Sequence, residues 1–237
     1  MKRITILLCA LATVAFTAGT AGAGPENNTV PAKPAAVPAK PAEPEKDAAA
    51  TKPNTSKKME TITLGAGCFW CTETILQRIK GVSTVISGYS NGKLKNPTYE
   101  DVCTGESGHC EVVQVNFDPE VISLEKLLGI FFELHDPTTL NRQGADSGTQ
   151  YRSGIYYRND EQKAVAERVK AELEKSKKYP NPIVTEIVKE DNFNPAEGYH
   201  QDYFDTNYTQ GKGNYRYCQG VIVPKLKKMG LLKDNEK

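Results

Sequence analysis

The chain has 237 residues, 38% of them hydrophobic and 25% charged, with a formal net charge of +1. That length holds one ordinary domain plus tails, and the composition is that of a soluble globular protein. A charge so near zero excludes a global field that would steer the chain to nucleic acid or an anionic membrane, so neither partner is expected.

The amino terminus reads as a targeting signal. Lys2 and Arg3 precede an apolar run from Ile4 to Phe16, and small residues then lead to Ala21-Gly22-Ala23. These are the charged region, short apolar region and cleavage site of a secretory signal peptide over residues 1–23. The apolar run falls short of the ~20 residues that a spanning helix needs. Export, to a periplasm or the outside, is therefore expected. Residues 24–58 are rich in Ala, Pro and Lys and lack aromatics, with Pro31-Ala32-Lys33-Pro34 and Pro38-Ala39-Lys40-Pro41 as near repeats. Such a segment predicts an extended tether that cannot bury enough apolar surface to fold. The folded domain is expected over 59–237.

Within it, Thr61 to Leu64 reads as a strand, and Gly65-Ala66-Gly67 leads into a helix from Phe69 to Ile79, with Ile75, Leu76 and Ile79 at helical spacing. Gly81 stops that helix, Val82 to Gly88 is a second strand, and Asn91-Gly92 marks a turn. A strand follows from about Glu111 to Phe117, with Val113, Val115 and Phe117 on one face. Ser123 is placed to cap a helix running through Leu134. Tyr151 to Tyr157 predicts a strand, Glu161 to Lys178 a charged amphipathic helix, Ile183 to Val188 a strand, and Glu197 to Asp205 a helix. The order β-α-β-β-α-β, then helix and strand, predicts an α+β fold with a ferredoxin-like split βαβ core and C-terminal additions.

Cysteine usage points to chemistry. With Cys9 removed in the leader, Cys68, Cys71, Cys103, Cys110 and Cys218 remain. An odd number in an exported chain implies a free or exchanging thiol. Cys68 falls where strand meets helix, and the free N–H groups of a helix N-terminus favour thiolate, the reactive form. Phe69 and Trp70 follow, either as core filling or as walls of an apolar pocket. Cys71 completes Cys-x-x-Cys, a spacing that suits redox exchange between protein thiols but also occurs in zinc sites, where Cys103, His109 and Cys110 are further candidate ligands. The irregular spacing of those three argues against metal, and no cofactor is expected.

The motifs resolve the choice. Gly67-Cys68-Phe69-Trp70 resembles the signature of the peptide methionine sulfoxide reductase A family. The resemblance continues through Gly88-Tyr89, Asn96-Pro97-Thr98-Tyr99-Glu100-Asp101-Val102 and Gly108-His109-Cys110-Glu111. It extends to His135-Asp136-Pro137, Gly148-Thr149-Gln150-Tyr151-Arg152-Ser153 and Tyr199-His200-Gln201-Asp202-Tyr203, so it covers the domain from about Glu60 to Pro224. It implies that Cys68 attacks the sulfur of methionine sulfoxide, of the S epimer, free or in oxidised proteins. Glu111 stands at the general-acid position, Tyr99 and Tyr151 at those of two phenols that donate to the sulfoxide oxygen, and Asp146 at that of an aspartate in the same cluster. Phe69 and Trp70 would hold the substrate methyl group. The sulfenic acid left on Cys68 would be resolved by Cys71 or by Cys218, directly or in relay, and a thioredoxin-like reductant would open the disulfide. A monomer is expected. Two positions depart from the family pattern: Ala145 precedes Asp146 where relatives often carry Asn, and Cys110 replaces a small residue, either packing or serving as an extra thiol.

Overall fold

Alternation of apolar and polar residues lays down the sheet. The computed structural model describes residues 58–210 and 215–232; the expected signal peptide and nearly all of the expected tether lie outside the described residues. Strand β1 (Glu60–Ala66) is at the centre, with β3 (Cys110–Phe117) antiparallel on one side and β6 (Ser153–Tyr157) antiparallel on the other. β2 (Val82–Ser90) pairs antiparallel with β3, and the short β8 (Asn194–Pro195) extends that edge. On the opposite edge β7 (Glu186–Lys189) runs parallel to β6, giving the order β7-β6-β1-β3-β2-β8. A separate two-stranded ribbon joins β4 (Arg142–Gln143) to β5 (Asp146–Ser147). The fold is α+β, with a mostly antiparallel sheet.

Register sets which residues share a face. Ile62 lies opposite Val115 and Leu64 opposite Val113, so both strands turn their apolar residues the same way. Helices α1 (Phe69–Leu76), α3 (Leu124–Leu134) and α4 (Asp160–Ser176) cover that face, adding Ile75, Leu76, Leu127, Leu128, Phe131, Phe132, Ala166 and Val169 to one core. Each of these side chains larger than Ala166 contributes roughly 1.5–3 kcal/mol by leaving water. The other face is polar. There Thr61 bonds Asn116, Thr63 donates to Glu190 at 2.5 Å, and Arg158 pairs with the same carboxylate at 3.0 Å. Cys110, Val112 and Tyr156 form a small second cluster against Phe193 on this side.

Several boundaries differ from the sequence reading, each for a local reason. α1 ends at Leu76, three residues early, because Arg78 and Ile79 bond back to Ile75 and Leu76 in a tighter turn. β6 starts at Ser153 rather than Tyr151, since Thr149–Tyr151 forms a 3₁₀ turn. β7 starts at Glu186 because Val184 N donates to Pro137 O instead of joining the ladder. The expected helix from Glu197 to Asp205 is split by Asp202, whose φ of +50° no helix admits, leaving a 3₁₀ turn (Gly198–His200) and a π-helical turn (Asp205–Thr209). The Ser123 cap stands, bonding Lys126 N at 3.3 Å.

Several elements were not anticipated, among them the short strands β4, β5 and β8. α2 (Tyr99–Cys103) opens with a capping box in which Thr98 bonds Asp101 N while Asp101 bonds Thr98 N. At the C-terminus, helix α5 (Tyr215–Tyr217), a π-helical turn (Cys218–Ile222) and helix α6 (Val223–Lys228) follow one another and bury Cys218, Ile222 and Leu226 in the main core.

Candidate active site

Cys68 sits at the N-cap of α1, only 7% exposed, between the end of β1 and the helix. The residue before it must be glycine: Gly67 has φ +82°, and a Cβ there would stand 2.5 Å from Gln143 Cβ. The β4–β5 ribbon is thereby packed directly beside the cysteine, which brings Asp146 into its neighbourhood.

The helix N-terminus does not serve the thiol as the sequence suggested. Its first N–H, of Phe69, donates to Glu111 Oε2 at 3.1 Å. Burial pushes the Cys68 thiol well up, with the neighbouring Cys71 sulfur and the Glu111 charge adding to it. Cys71 moves the other way, to about 7, chiefly because the Cys68 thiol hydrogen-bonds its sulfur, with Lys225 also favouring the anion. The pair therefore gives up one proton near neutral pH and keeps the second, sharing a single negative charge.

Glu111 is the second element of the site. It lies on β3 opposite Tyr89, 2% exposed, with its side chain on the helix-covered face. Burial raises its carboxyl to about 8 against the opposing Phe69 N–H bond, with Asp146 and Cys71 pushing the same way. It is thus a carboxylic acid that retains its proton at neutral pH. Once protonated, it ceases to repel a thiolate on the cysteine pair.

Around these two groups the structure gathers the remaining sequence-predicted residues. Tyr99, at the start of α2, and Tyr151, at the end of the 3₁₀ turn, are half-buried phenols. Burial raises both, and the Glu111 charge opposes ionisation of each, so both remain O–H donors. Asp146 is half-buried and raised by burial, while Lys225 and a hydrogen bond to Tyr217 favour its ionised form. Trp70 stacks on Tyr203 with centroids 3.7 Å apart and donates its indole N–H to His200 Nδ1 at 3.1 Å. Phe69 lies against Trp70, Tyr89 and His200 at 6.0, 5.8 and 5.1 Å, completing an aromatic wall. Cys218 is buried and held at about 11 by that burial and the nearby Cys71 charge.

Residues outside the expected set belong to the same constellation. Tyr217 places its hydroxyl 3.7 Å from Cys71 Sγ and its ring edge-on to Trp70 at 5.4 Å. Glu197 accepts from Tyr89 Oη at 2.8 Å and from Tyr99 N at 3.0 Å. His200, buried and lowered by burial to about 4, stays neutral, so its Nδ1 is free to accept from Trp70. The sequence signal for Tyr217 and Glu197 was weak, because each lies far along the chain from Cys68, whereas His200 stands in the Tyr199-His200-Gln201-Asp202-Tyr203 motif with no role assigned to it. Glu73, in contrast, lies on α1 itself: it is buried and raised by burial to about 7, and it receives Tyr203 N at 3.4 Å.

Cys110 and Cys103 separate here. Cys110 is fully buried behind the sheet, its thiol within bonding distance of Glu111 O (3.2 Å) and Arg152 O (3.4 Å) and raised by burial to about 11, so it packs rather than exchanges. Cys103 is exposed at the end of α2. Among the described residues, no group of three His, Cys, Asp or Glu side chains is arranged to hold a metal ion. Nor, among them, is any helix long and apolar enough to cross a membrane.

Known proteins resemble this chain in sequence and in fold. Residues 60–235 match the family described as peptide methionine sulfoxide reductase. The peptide methionine sulfoxide reductase MsrA of Polynucleobacter asymbioticus is 53% identical over 170 residues, spanning 72% of this chain and 87% of that protein. That of Sulfolobus acidocaldarius is 55% identical over 170 residues, spanning 72% and 93%. Among solved structures, reduced Mxr1 from Saccharomyces cerevisiae is similar with a TM-score of 0.61 at 39% identity, covering 64% of this chain and 87% of that one. Methionine sulfoxide reductase A of Corynebacterium diphtheriae gives 0.57 at 33% identity, covering 65% and 77%. With a family match over most of its length and relatives of this identity, the chain belongs to the peptide methionine sulfoxide reductase A family.

Proposed function

We propose that this chain reduces methionine S-sulfoxide, free or in oxidised proteins, to methionine, with Cys68 as nucleophile and Glu111 as acid. The observation that carries the reading is the buried Glu111 carboxyl, protonated up to about pH 8 and hydrogen-bonded to the backbone N–H that follows Cys68. A sulfoxide oxygen is a poor leaving group until it gains a proton, and a neutral buried acid supplies one where water is excluded.

In the first step Cys68 passes its proton to the Cys71 sulfur, its thiolate attacks the sulfoxide sulfur, and Glu111 delivers its proton to the oxygen. The S–O bond to methionine breaks and an S–O bond to Cys68 forms, so methionine is reduced and Cys68 becomes sulfenic acid. The proton lost when the cysteine pair ionises balances the one delivered, and returns Glu111 to its acid form. Tyr99 and Tyr151 donate to the oxygen as charge develops there, while Asp146 shapes the polar side and Phe69 with Trp70 grip the methyl group. Cys71 then attacks the Cys68 sulfur, forming the disulfide and releasing the hydroxyl with a proton as water. Its lowered pKa and its contact with Cys68 favour it as first resolving thiol. Cys218, next in line beyond Cys71, would relay the disulfide outward. A thioredoxin-like dithiol supplies the two electrons and two protons that restore the enzyme.

The wider reading follows the same lines. Residues 1–23 act as a signal peptide and 24–58 as a tether, so the enzyme works as a monomer outside the cytosol and draws on a donor there. The order β6-β1-β3-β2, with α1 and α3 as connections, supports a ferredoxin-like split βαβ core to which β7, β8 and the C-terminal helices are additions. Turnover of methionine sulfoxide with a dithiol tests the chemistry: Cys68→Ser should abolish methionine release, and full activity in that variant would overturn it. N-terminal sequencing of protein from the extracellular or periplasmic fraction tests export, and an intact Met1 there would count against cleavage.

A further inference from the structure

We infer that Arg152 is a positioning residue: from the polar face of the sheet, with Glu186 and Tyr156, it fixes the turn that presents Tyr151 to the sulfoxide oxygen. This rests on the donor role proposed above for Tyr151.

Tyr151 is not carried by a strand. It ends the 3₁₀ turn Thr149–Tyr151, entered through Gly148 at φ +148°, where a Cβ would stand 2.2 Å from Gln150 Oε1. On one side that turn is fastened to the end of α2, Thr149 Oγ1 donating to Gly105 O at 2.8 Å. On the other side Arg152 fastens it twice, its backbone N and its Nη1 both donating to Thr149 O, at 3.3 and 3.0 Å.

The same guanidinium reaches the edge strand. Its Nε donates to Glu186 Oε1 at 2.7 Å, and that oxygen also accepts from Tyr156 Oη at 2.7 Å. The Arg152 side chain is only 16% exposed, while its partner Glu186 is 36% exposed, so the guanidinium is the more buried end of the pair. A rigid fork that serves a carbonyl with one nitrogen and a carboxylate with another is a task for arginine; a single ammonium has no such geometry.

Arg152 also reaches towards the acid. Its carbonyl faces the Cys110 thiol, which faces Glu111 O as well. The sulfur crosses β1 over Gly65, where a Cβ would lie 2.8 Å away from it. The supports of Tyr151 and of Glu111 therefore meet at one residue, which contacts the packed Cys110 but neither Cys68 nor Cys71. A hydrogen-bond donor acts on the transition state only when held within a few tenths of an ångström, which is what such a brace secures.

The test is a double-mutant cycle on kcat and KM with methionine sulfoxide and a dithiol. Arg152→Met should lower kcat roughly 10–100-fold, the scale set by a displacement of about 1 Å, with KM little changed. Tyr151→Phe should also lower kcat, and the double variant should lose no more than Tyr151→Phe alone. If the two losses multiply, or if Arg152→Met leaves kcat intact while Tyr151→Phe lowers it, the brace is wrong. If Tyr151→Phe leaves kcat intact, the donor role itself falls and the brace with it. Should Arg152→Met not fold, Glu186→Ala and Glu186→Gln carry the test. Glu186→Gln keeps an acceptor and should stay closer to wild type in kcat, and equal losses in both variants would overturn the inference.

Discussion

Cys68 stands between two regions built on different plans. On one side is Glu111, on a central strand, opposite Tyr89 of β2 and bonded to the helix backbone. On the other are Cys71, Tyr217 and Cys218, the last two carried by a three-residue helix and a π-helical turn. The Glu111 side must hold a proton at a fixed point, and it sits on a sheet strand, tied to β2 by register and to α1 by the Phe69 N–H. The cysteine side must let sulfurs close to a bond length of about 2.05 Å, which demands movement. Short turns secured mainly by apolar packing yield at lower cost than a sheet centre. Fixed geometry and exchange chemistry are thus assigned to elements of different stiffness.

The comparison can be broken by separating the half-reactions. The largest effect is expected of Cys68→Ser, which belongs to both sides and should give no methionine even in a single turnover. Next is Glu111→Gln, with a loss of about 10²–10⁴-fold in the first half-reaction. Stopped-flow release of methionine would show it, and the loss should be as large at single turnover as at steady state. Wild-type kcat should fall as pH rises through about 8, where Glu111 gives up its proton, and the glutamine variant should lack that limb. Cys71→Ser should invert the pattern: one methionine per enzyme at undiminished rate, then slow recycling by a dithiol protein.

Two smaller effects concern stability. Glu111 is raised from 4.5 to about 8 in the folded chain. A carboxyl raised by folding favours the folded state only while it is protonated in both states, so that contribution is lost as pH climbs from about 4.5 to about 8. Removing the ionisable group should therefore stabilise the chain by on the order of 3 kcal/mol at pH 7, and by little at pH 4. Denaturant unfolding of Glu111→Gln at both values checks the sign. Least of all, Thr98→Ala should cost about 1 kcal/mol by removing the cap that starts α2 behind Tyr99.

Legibility in the sequence divided along similar lines. Strands with clean alternation, such as Val113-Val115-Phe117, were readable because one buried face imposes period two. The candidate site was proposed through motifs rather than periodicity: nothing in the spacing of Tyr99, Glu111 and Tyr151 reveals that they converge. α2 was overlooked although Thr98-Tyr99-Glu100-Asp101 carries its capping signal, since five residues show no period. The segment after Glu197 misled for a physical reason, because Asp202 adopts φ +50°, and composition does not distinguish that from helix. The electrostatics of Cys68 were misjudged because the helix N-terminus already serves Glu111, a tertiary contact between residues 42 apart.

Trp70 is the only tryptophan of the chain. Its indole is bonded to His200, stacked on Tyr203 and met edge-on by Tyr217, the residue before Cys218. Ultraviolet emission from this protein therefore originates inside the pocket wall. A substrate methyl group entering beside the ring, or a disulfide drawing Tyr217 aside, changes the surroundings of that one fluorophore. The chain carries its own optical probe of both half-reactions, legible on the millisecond scale without a label.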